Sequence, residues 1–312
     1  FSNMKLIDKA ENIYLEAIAL NEKNISMVSK SGISNRERAL LRYLNLIYQN
    51  YNDTLSIKKI TSIIDKYPSK YYPYIYRSSC YANLEDYQQE LIDITKAIEL
   101  CNFNLDKSIY YLRRASSYKN NFSDYKKALT DLEKALEFNN TNVSAINLRG
   151  LIFVEQGNYI KAIEEYSKGI ALKEVNPEGA GYCYTNRAEQ FVHLNHLNKA
   201  QNDYDSAIII SPDNVAFYRK RADFNTEIII NFDKALSDYN KTIELDQYNI
   251  ISWFLRAKFF ENKLIDYENA KSDFNKCVDL NPKMCLIERA KFYYRQNDYK
   301  NAKKDYDLLV DL

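Results

Sequence analysis

Seven times in this 312-residue chain an arginine stands immediately before a small residue, and each time an acid follows sixteen or seventeen positions later. The pairs are Arg77 with Asp93, Arg114 with Asp131, Arg149 with Glu165, Arg187 with Asp203, Arg221 with Asp238, Arg256 with Asp273 and Arg289 with Asp305. The spacing is sixteen where the small residue (Ser78, Gly150, Ala188, Ala290) precedes a second landmark (Glu90, Ala162, Ala200, Ala302) by twelve. It is seventeen where Ala115, Ala222 and Ala257 precede Ala128, Ala235 and Ala270 by thirteen. One inserted residue that shifts everything after it is what two helices joined by a tolerant turn would produce. Such a chain is a repeat array, in which each repeat packs only on its neighbours, so length sets the number of repeats rather than of globular domains.

Around each small residue lies a shared frame. An aromatic stands four before it (Tyr74, Tyr111, Tyr184, Tyr218, Trp253) and often a tyrosine three after (Tyr81, Tyr118, Tyr293). Further on come a tyrosine at the turn (Tyr87, Tyr125, Tyr159, Tyr267, Tyr299), an aromatic or aliphatic residue, and a small residue three beyond it (Ala97, Ala135, Gly169, Ala207). Pro212 and Pro282 end two of the second helices, as a residue without an N–H should. The frame resembles the tetratricopeptide repeat, with Asn186 to Pro212 its clearest instance, a helix–turn–helix unit with a 34-residue period. The resemblance implies an all-α fold, a right-handed α-solenoid of tandem helix–turn–helix repeats. Residues 71–312 hold about seven repeats; residues 1–70 hold divergent ones, a half-repeat at Lys5 to Asn24 and one degenerate helical pair. The chain opens inside a half-repeat at Phe1 and stops at Leu312 with no polar capping helix, so the array is expected to continue beyond both ends, or to be covered there in a larger assembly.

The arginine is a departure from the family pattern, where leucine is common. If the turn falls midway between arginine and acid, antiparallel helices carry both side chains to one height, about 12 Å from the turn at 1.5 Å per residue. The seven pairs are therefore expected to form a partly buried structural ladder. The 28 tyrosines fall mostly on frame positions, where interlocked ring packing accounts for them. Off-frame Tyr72, Tyr76, Tyr110 and Tyr182 are better placed for contacts.

In the family that the chain resembles, the first helix of each repeat lines a concave groove that receives an extended peptide or a helix. Helical spacing places Tyr72, Asn83, Asn120, Asn147, Tyr182, Glu189, Arg219, Asp223, Lys258 and Arg295 on that face. It is polar, of mixed sign, and punctuated by aromatics. Family members that clamp a chaperone's terminal carboxylate use five polar residues over three repeats. Only Asn186 and Lys220 match here, with Asn147, Leu151 and Ala216 at the other three, so that specialisation is not expected.

Basic residues number 43 against 42 acidic ones, so no long-range field draws a polyanion, and neither nucleic acid nor an anionic membrane is favoured as the main partner. Six glycines make neither GxGxxG nor a P-loop. His193 and His196, the only histidines, have no cysteine or acid cluster placed to complete a metal site. No catalytic residue, metal or cofactor is predicted. Cys80, Cys101, Cys183, Cys277 and Cys285 form no CxxC and leave an odd thiol, which points away from disulfides and toward a cytoplasmic or other reducing compartment. No apolar run reaches the roughly 18 residues that span a bilayer. The function expected is a soluble, non-catalytic scaffold or adaptor that binds a protein or peptide partner in the groove. The alternatives are an RNA-binding helical-repeat protein, which shares the period, and the accessory region of an enzyme whose catalytic domain lies elsewhere.

Overall fold

The computed structural model describes residues 35–310; the half-repeat expected at Lys5 to Asn24, and both chain ends, lie outside them. The described residues form sixteen α-helices and no strand. In chain order these are α1 Asn35–Asn50, α2 Asp53–Lys66, α3 Tyr71–Asn83, α4 Tyr87–Leu100, α5 Asn104–Phe122, α6 Tyr125–Phe138, α7 Val143–Glu155, α8 Tyr159–Ile170, α9 Pro177–His193, α10 Leu197–Ile210, α11 Val215–Phe224, α12 Phe232–Leu245, α13 Ile250–Phe259, α14 Tyr267–Leu280, α15 Pro282–Arg295 and α16 Tyr299–Val310. From α3 onward, odd-numbered helices open a repeat and even-numbered ones close it. The chain divides into two compact halves, Phe1–Ile152 and Phe153–Leu312, at a point within α7.

The frame residues explain the close packing. Ser78, Ala115, Ala188, Ala222, Ala257 and Ala290 are fully buried, as are Ala128, Ala200, Ala235 and Ala270 opposite them. Small side chains there let two helices approach, and aromatics fill the space beside them: Tyr204 with Phe224, Tyr239 with Phe259, Phe274 with Phe292. Residues 35–66, where the repeat markers are missing, still make a helical pair. Leu40, Leu44 and Ile47 of α1 and Ile60, Ile63 and Ile64 of α2 share one core with Tyr72 and Tyr74.

The turn inside each repeat explains the two spacings. A single residue with positive φ precedes every second helix: Glu85, Ser123, Gly157, Asn195, Ile230, Ile265 and Asn297. The next residue caps that helix. Asp86, Asp124, Asn158, Asn231, Asp266 and Asp298 each accept a bond from the backbone N–H three residues on, satisfying a donor the helix cannot; His196 occupies the same place without a side-chain bond. In sixteen-spaced repeats the cap's own N–H reaches back five residues, from Asp86 to Tyr81, Asn158 to Phe153, His196 to Phe191 and Asp298 to Tyr293, at 2.7–2.9 Å. In seventeen-spaced repeats it reaches back six, from Asp124 to Tyr118, Asn231 to Asn225 and Asp266 to Phe260, at 2.8–2.9 Å. Two of these widened turns are π-helical, Asn225–Ile229 and Phe260–Leu264. The extra residue is absorbed where the first helix ends, and the second helix keeps its register.

The six spaced arginine–acid pairs that lie within one half all meet. Arg77, Arg114, Arg187, Arg221, Arg256 and Arg289 each donate through Nε and Nη2 to both oxygens of their acid at 2.7–2.9 Å. The remaining Nη1 crosses to the second helix of the preceding repeat. It finds Thr61, Thr95, Ser167, Asp205, Asn240 and Asn275 in turn, at 2.7–3.0 Å. Each arginine therefore ties two helices of its own repeat to a third. Arg149 and Glu165 fall in different halves, and Glu165 accepts from Lys168 Nζ at 2.7 Å.

The cysteines depart from expectation. Cys277 near the end of α14 is bonded to Cys285 in the first turn of α15, with Cα atoms 5.7 Å apart. The turn at Asn281 and Pro282 brings the two positions together, which spacing alone did not reveal, and the bond removes the basis for reading a reducing compartment from the cysteines. Cys80, Cys101 and Cys183 are buried thiols. No helix among the described residues is long and apolar enough to cross a membrane.

Candidate partner groove on the first-helix face

In the second half, α9, α11, α13 and α15 are first helices, joined by acid–base pairs that run from one repeat to the next. Glu189 of α9 pairs with Lys220 of α11. Glu227, in the turn after α11, accepts from Lys263 at 3.0 Å. Glu261 accepts from Arg295 Nε and Nη2 at 2.7 and 3.0 Å and from Lys258 at 3.2 Å. Of these residues, helical spacing places Glu189, Lys258, Glu261 and Arg295 on the binding face, and Lys220 entered only as a match to the carboxylate clamp; that Lys220 holds Glu189 and Glu261 holds Arg295 was not legible. The signal was weak, an acid and a base 31 to 36 residues apart in an array whose repeats differ in length.

Between α9 and α11 this face carries a pocket of about 280 Å³, lined by Glu189, Val192, His193, Tyr204, Lys220, Asp223, Phe224, Glu227 and Ile228. Its walls combine apolar side chains with charges of both signs. Burial, reinforced by nearby Glu189, pushes the Tyr204 phenol up. Tyr239 is likewise raised by burial and by Asp223, to which its hydroxyl donates at 2.8 Å. Both phenols therefore remain protonated at any physiological pH. His193 lies stacked on Tyr159, 5.0 Å between centroids, and His196 sits 6.1 Å from Phe191. Burial pushes the Asp223 carboxyl up, against the bond from Tyr239 and the charge of half-buried Arg219.

Tyr182 is exposed and rests edge-on against Phe217 at 5.0 Å, with Asn214 Nδ2 donating to its hydroxyl at 3.4 Å. The neighbouring glycine makes this possible, because a Cβ on Gly181 would stand 2.5 Å from a Phe217 ring carbon.

In the first half the face is tied together differently. Arg113 of α5 donates to Ser79 Oγ of α3 at 3.0 Å and lies 3.8 Å from Glu90, which also accepts from Ser117 at 2.8 Å. Burial pulls the Arg113 guanidinium down, against the pull of Glu90. Asn83 is exposed and donates to Asp53 at 3.0 Å. Asn120 is exposed beside Lys119 Nζ at 3.2 Å, and Asn147 is half-buried. Tyr72 corrects the sequence reading: it is 6 % exposed, edge-on to Tyr71 and inside the core that α1 and α2 build. The degenerate helical pair expected before residue 71 has no repeat markers to set its register, so the position it covers was not legible.

Among the described residues no cluster of histidine, cysteine or acid could hold a metal. The tetratricopeptide-repeat family model matches residues 143–176 and 252–284. Among solved structures, yeast Tom70 is similar with a TM-score of 0.65 at 20% identity, covering 88% of this chain and 56% of its own; this chain thus spans little more than half of it. The C-terminal part of a TPR repeat-containing protein from Cytophaga hutchinsonii gives 0.50 at 20% identity, covering 77% and 95%. The pilF of Pseudomonas aeruginosa gives 0.51 at 17% identity, covering 68% and 92%. Identities this low speak for the fold alone. Among curated protein sequences none matches.

Proposed function

We propose that this chain, which carries tetratricopeptide repeats, is a non-catalytic scaffold or adaptor whose first-helix face binds an extended segment or a helix of a partner protein. The pocket between α9 and α11 carries the reading. Its apolar lining of Val192, Phe224 and Ile228 suits an apolar side chain, and its charged lining of Glu189, Lys220, Asp223 and Glu227 suits the polar groups around one. Pairing between Glu189 and Lys220 and between Glu261 and Arg295 holds long side chains in place before a partner arrives, which lowers the entropy lost on binding. Tyr182 and Arg219 supply the residue types that most often anchor an interface. Exposed Asn83 and Asn120 offer donors and an acceptor to a peptide backbone. Several weak contacts along the first helices of a half would sum to the affinity.

Affinity purification from the source cells tests this, comparing the parent chain with Ile228→Glu and with Tyr182→Ala/Arg219→Ala, at matched helicity. Ile228 is 42 % exposed, so a charge there closes the pocket without entering the core. A partner held by the parent and lost from both variants supports recognition on this face. One retained by both places binding elsewhere on the protein.

A further inference from the structure

Three residues after the small residue, six of the seven repeats carry an aromatic: Tyr81, Tyr118, Phe153, Phe191, Phe260 and Tyr293. The remaining repeat has Asn225. Each ring sits beside a cation. The ladder guanidinium lies 5.9 Å from the Tyr81 centroid, 5.6 Å from Phe191, 5.8 Å from Phe260 and 5.9 Å from Tyr293. A lysine three residues after the cap flanks Tyr118 at 5.4 Å, Phe153 at 5.6 Å and Phe191 at 5.5 Å. In the exceptional repeat both cations are in place, Arg221 and Lys234, and the ring is not.

Asn225 is 1 % exposed, and neither Oδ1 nor Nδ2 of its amide has a hydrogen-bond partner. A buried amide left unpaired on both atoms is costly and rare. It borders a cavity of about 440 Å³ between α10, α11 and α12, together with Ile208, Arg221, Lys234 and Ser237. The edge of that cavity reaches solvent, since Ser237 and Ile209 are exposed. None of its lining residues belongs to the pocket between α9 and α11.

We propose that this cavity receives the phenol ring of a tyrosine presented by a protein partner. The same place in the repeat frame holds a tyrosine in three other repeats, so a ring of that size suits the surroundings. Arg221 has its in-plane donors engaged by Asp238 and Asp205 and lies 6.0 Å from the Tyr218 centroid; Arg187 takes two rings at once, Tyr184 and Phe191, so Arg221 can accept a second. Ile208 supplies apolar contact. A side chain entering from solvent leads with its hydroxyl, and the hydroxyl is what the buried amide lacks, able to donate to Oδ1 or accept from Nδ2–H. Phenylalanine would fill the space and leave the amide unpaired, so the site should select tyrosine over phenylalanine. This inference does not depend on the first-helix groove.

The test is titration of p-cresol and toluene into the whole chain, followed by NMR, and then of N-acetyl-tyrosinamide against N-acetyl-phenylalaninamide. Parent protein should bind p-cresol saturably and prefer the phenol of each pair by at least about tenfold. Asn225→Phe restores the ring the other repeats carry, and should abolish binding while raising the melting temperature. Ser237→Trp, a change at an exposed position, should block the cavity from its rim if the first variant does not fold. No saturable p-cresol signal, equal binding of toluene, or binding unchanged in a folded variant overturns the proposal, as does a crystal soaked in p-cresol that shows only water at the Asn225 amide. Binding of the free phenols with no gain for the tyrosinamide or for a tyrosine-bearing peptide removes the partner and with it the proposal.

Discussion

Arg221 grips Asp238 with two donors, Nε at 2.9 Å and Nη2 at 2.7 Å, and spends its third on Asp205 of the preceding repeat at 2.7 Å. The two acids are not equivalent. The Asp238 side chain is 5 % exposed and that of Asp205 42 %, so Asp238→Ala leaves a partly buried guanidinium with only its exposed partner and should cost about 3 kcal/mol, the lower end for breaking a buried pair. Asp205→Ala should cost less than about 1 kcal/mol, as a solvent-screened pair does. Arg221→Lys should be nearly as damaging as Asp238→Ala, because an ammonium cannot make the forked contact. Urea unfolding of the three variants at neutral pH checks the order; equal losses for the two aspartates would deny the burial argument.

Ile230 and Ile265 sit at φ 57° and 56°, a conformation in which a β-branched residue is strained. Asn195 and Asn297 hold the same place in other repeats at φ 59° and 61°. Ile265 is 58 % exposed, so little packing is lost on replacement, and Ile265→Asn should stabilise the chain by about 1 kcal/mol. A thermal melt decides it, and a lower melting temperature would mean that the turn depends on the isoleucine's contacts.

The Cys277–Cys285 bond closes a loop of sequence separation 8, for which the restricted unfolded chain accounts for about 2.5 kcal/mol. Reductant should lower the melting temperature of the parent and leave that of Cys277→Ala/Cys285→Ala where it is. A parent melt that ignores reductant, with five thiols titrating after unfolding, would show that the bond does not form in solution.

Asp124, Asp266 and Asp298 cap second helices. Bonds from the side chain and then the backbone of Lys127, Asn269 and Asn301 hold their carboxyls below the usual aspartate value. Since the folded pKa is the lower one, the stabilisation is whole above the unfolded value of about 3.9 and is lost as pH falls through the folded value. Asn158 and Asn231 do the same work without titrating. The triple variant Asp124→Asn/Asp266→Asn/Asp298→Asn should therefore keep a larger share of its neutral-pH stability at pH 3 than the parent, as denaturant midpoints at pH 7 and pH 3 would register.

Helix pairs and six of the arginine–acid partners were legible in the residues because a rise of 1.5 Å per residue converts spacing within a helical hairpin directly into height. The inserted residue at Ala115, Ala222 and Ala257 was legible for the same reason. What absorbs it, a turn bonded six residues back, was not, since spacing counts residues and says nothing of the bond that accommodates one more. Contacts between repeats follow from how helices of different hairpins are turned against one another, a quantity no single-helix period contains. Only the tertiary structure therefore paired Glu189 with Lys220 and Glu261 with Arg295, buried Tyr72 under α1 and α2, and joined Cys277 to Cys285. Asn225 belongs to both levels: the sequence shows it standing where the other repeats carry an aromatic, and packing alone reveals that its amide is buried without a partner at the edge of a cavity.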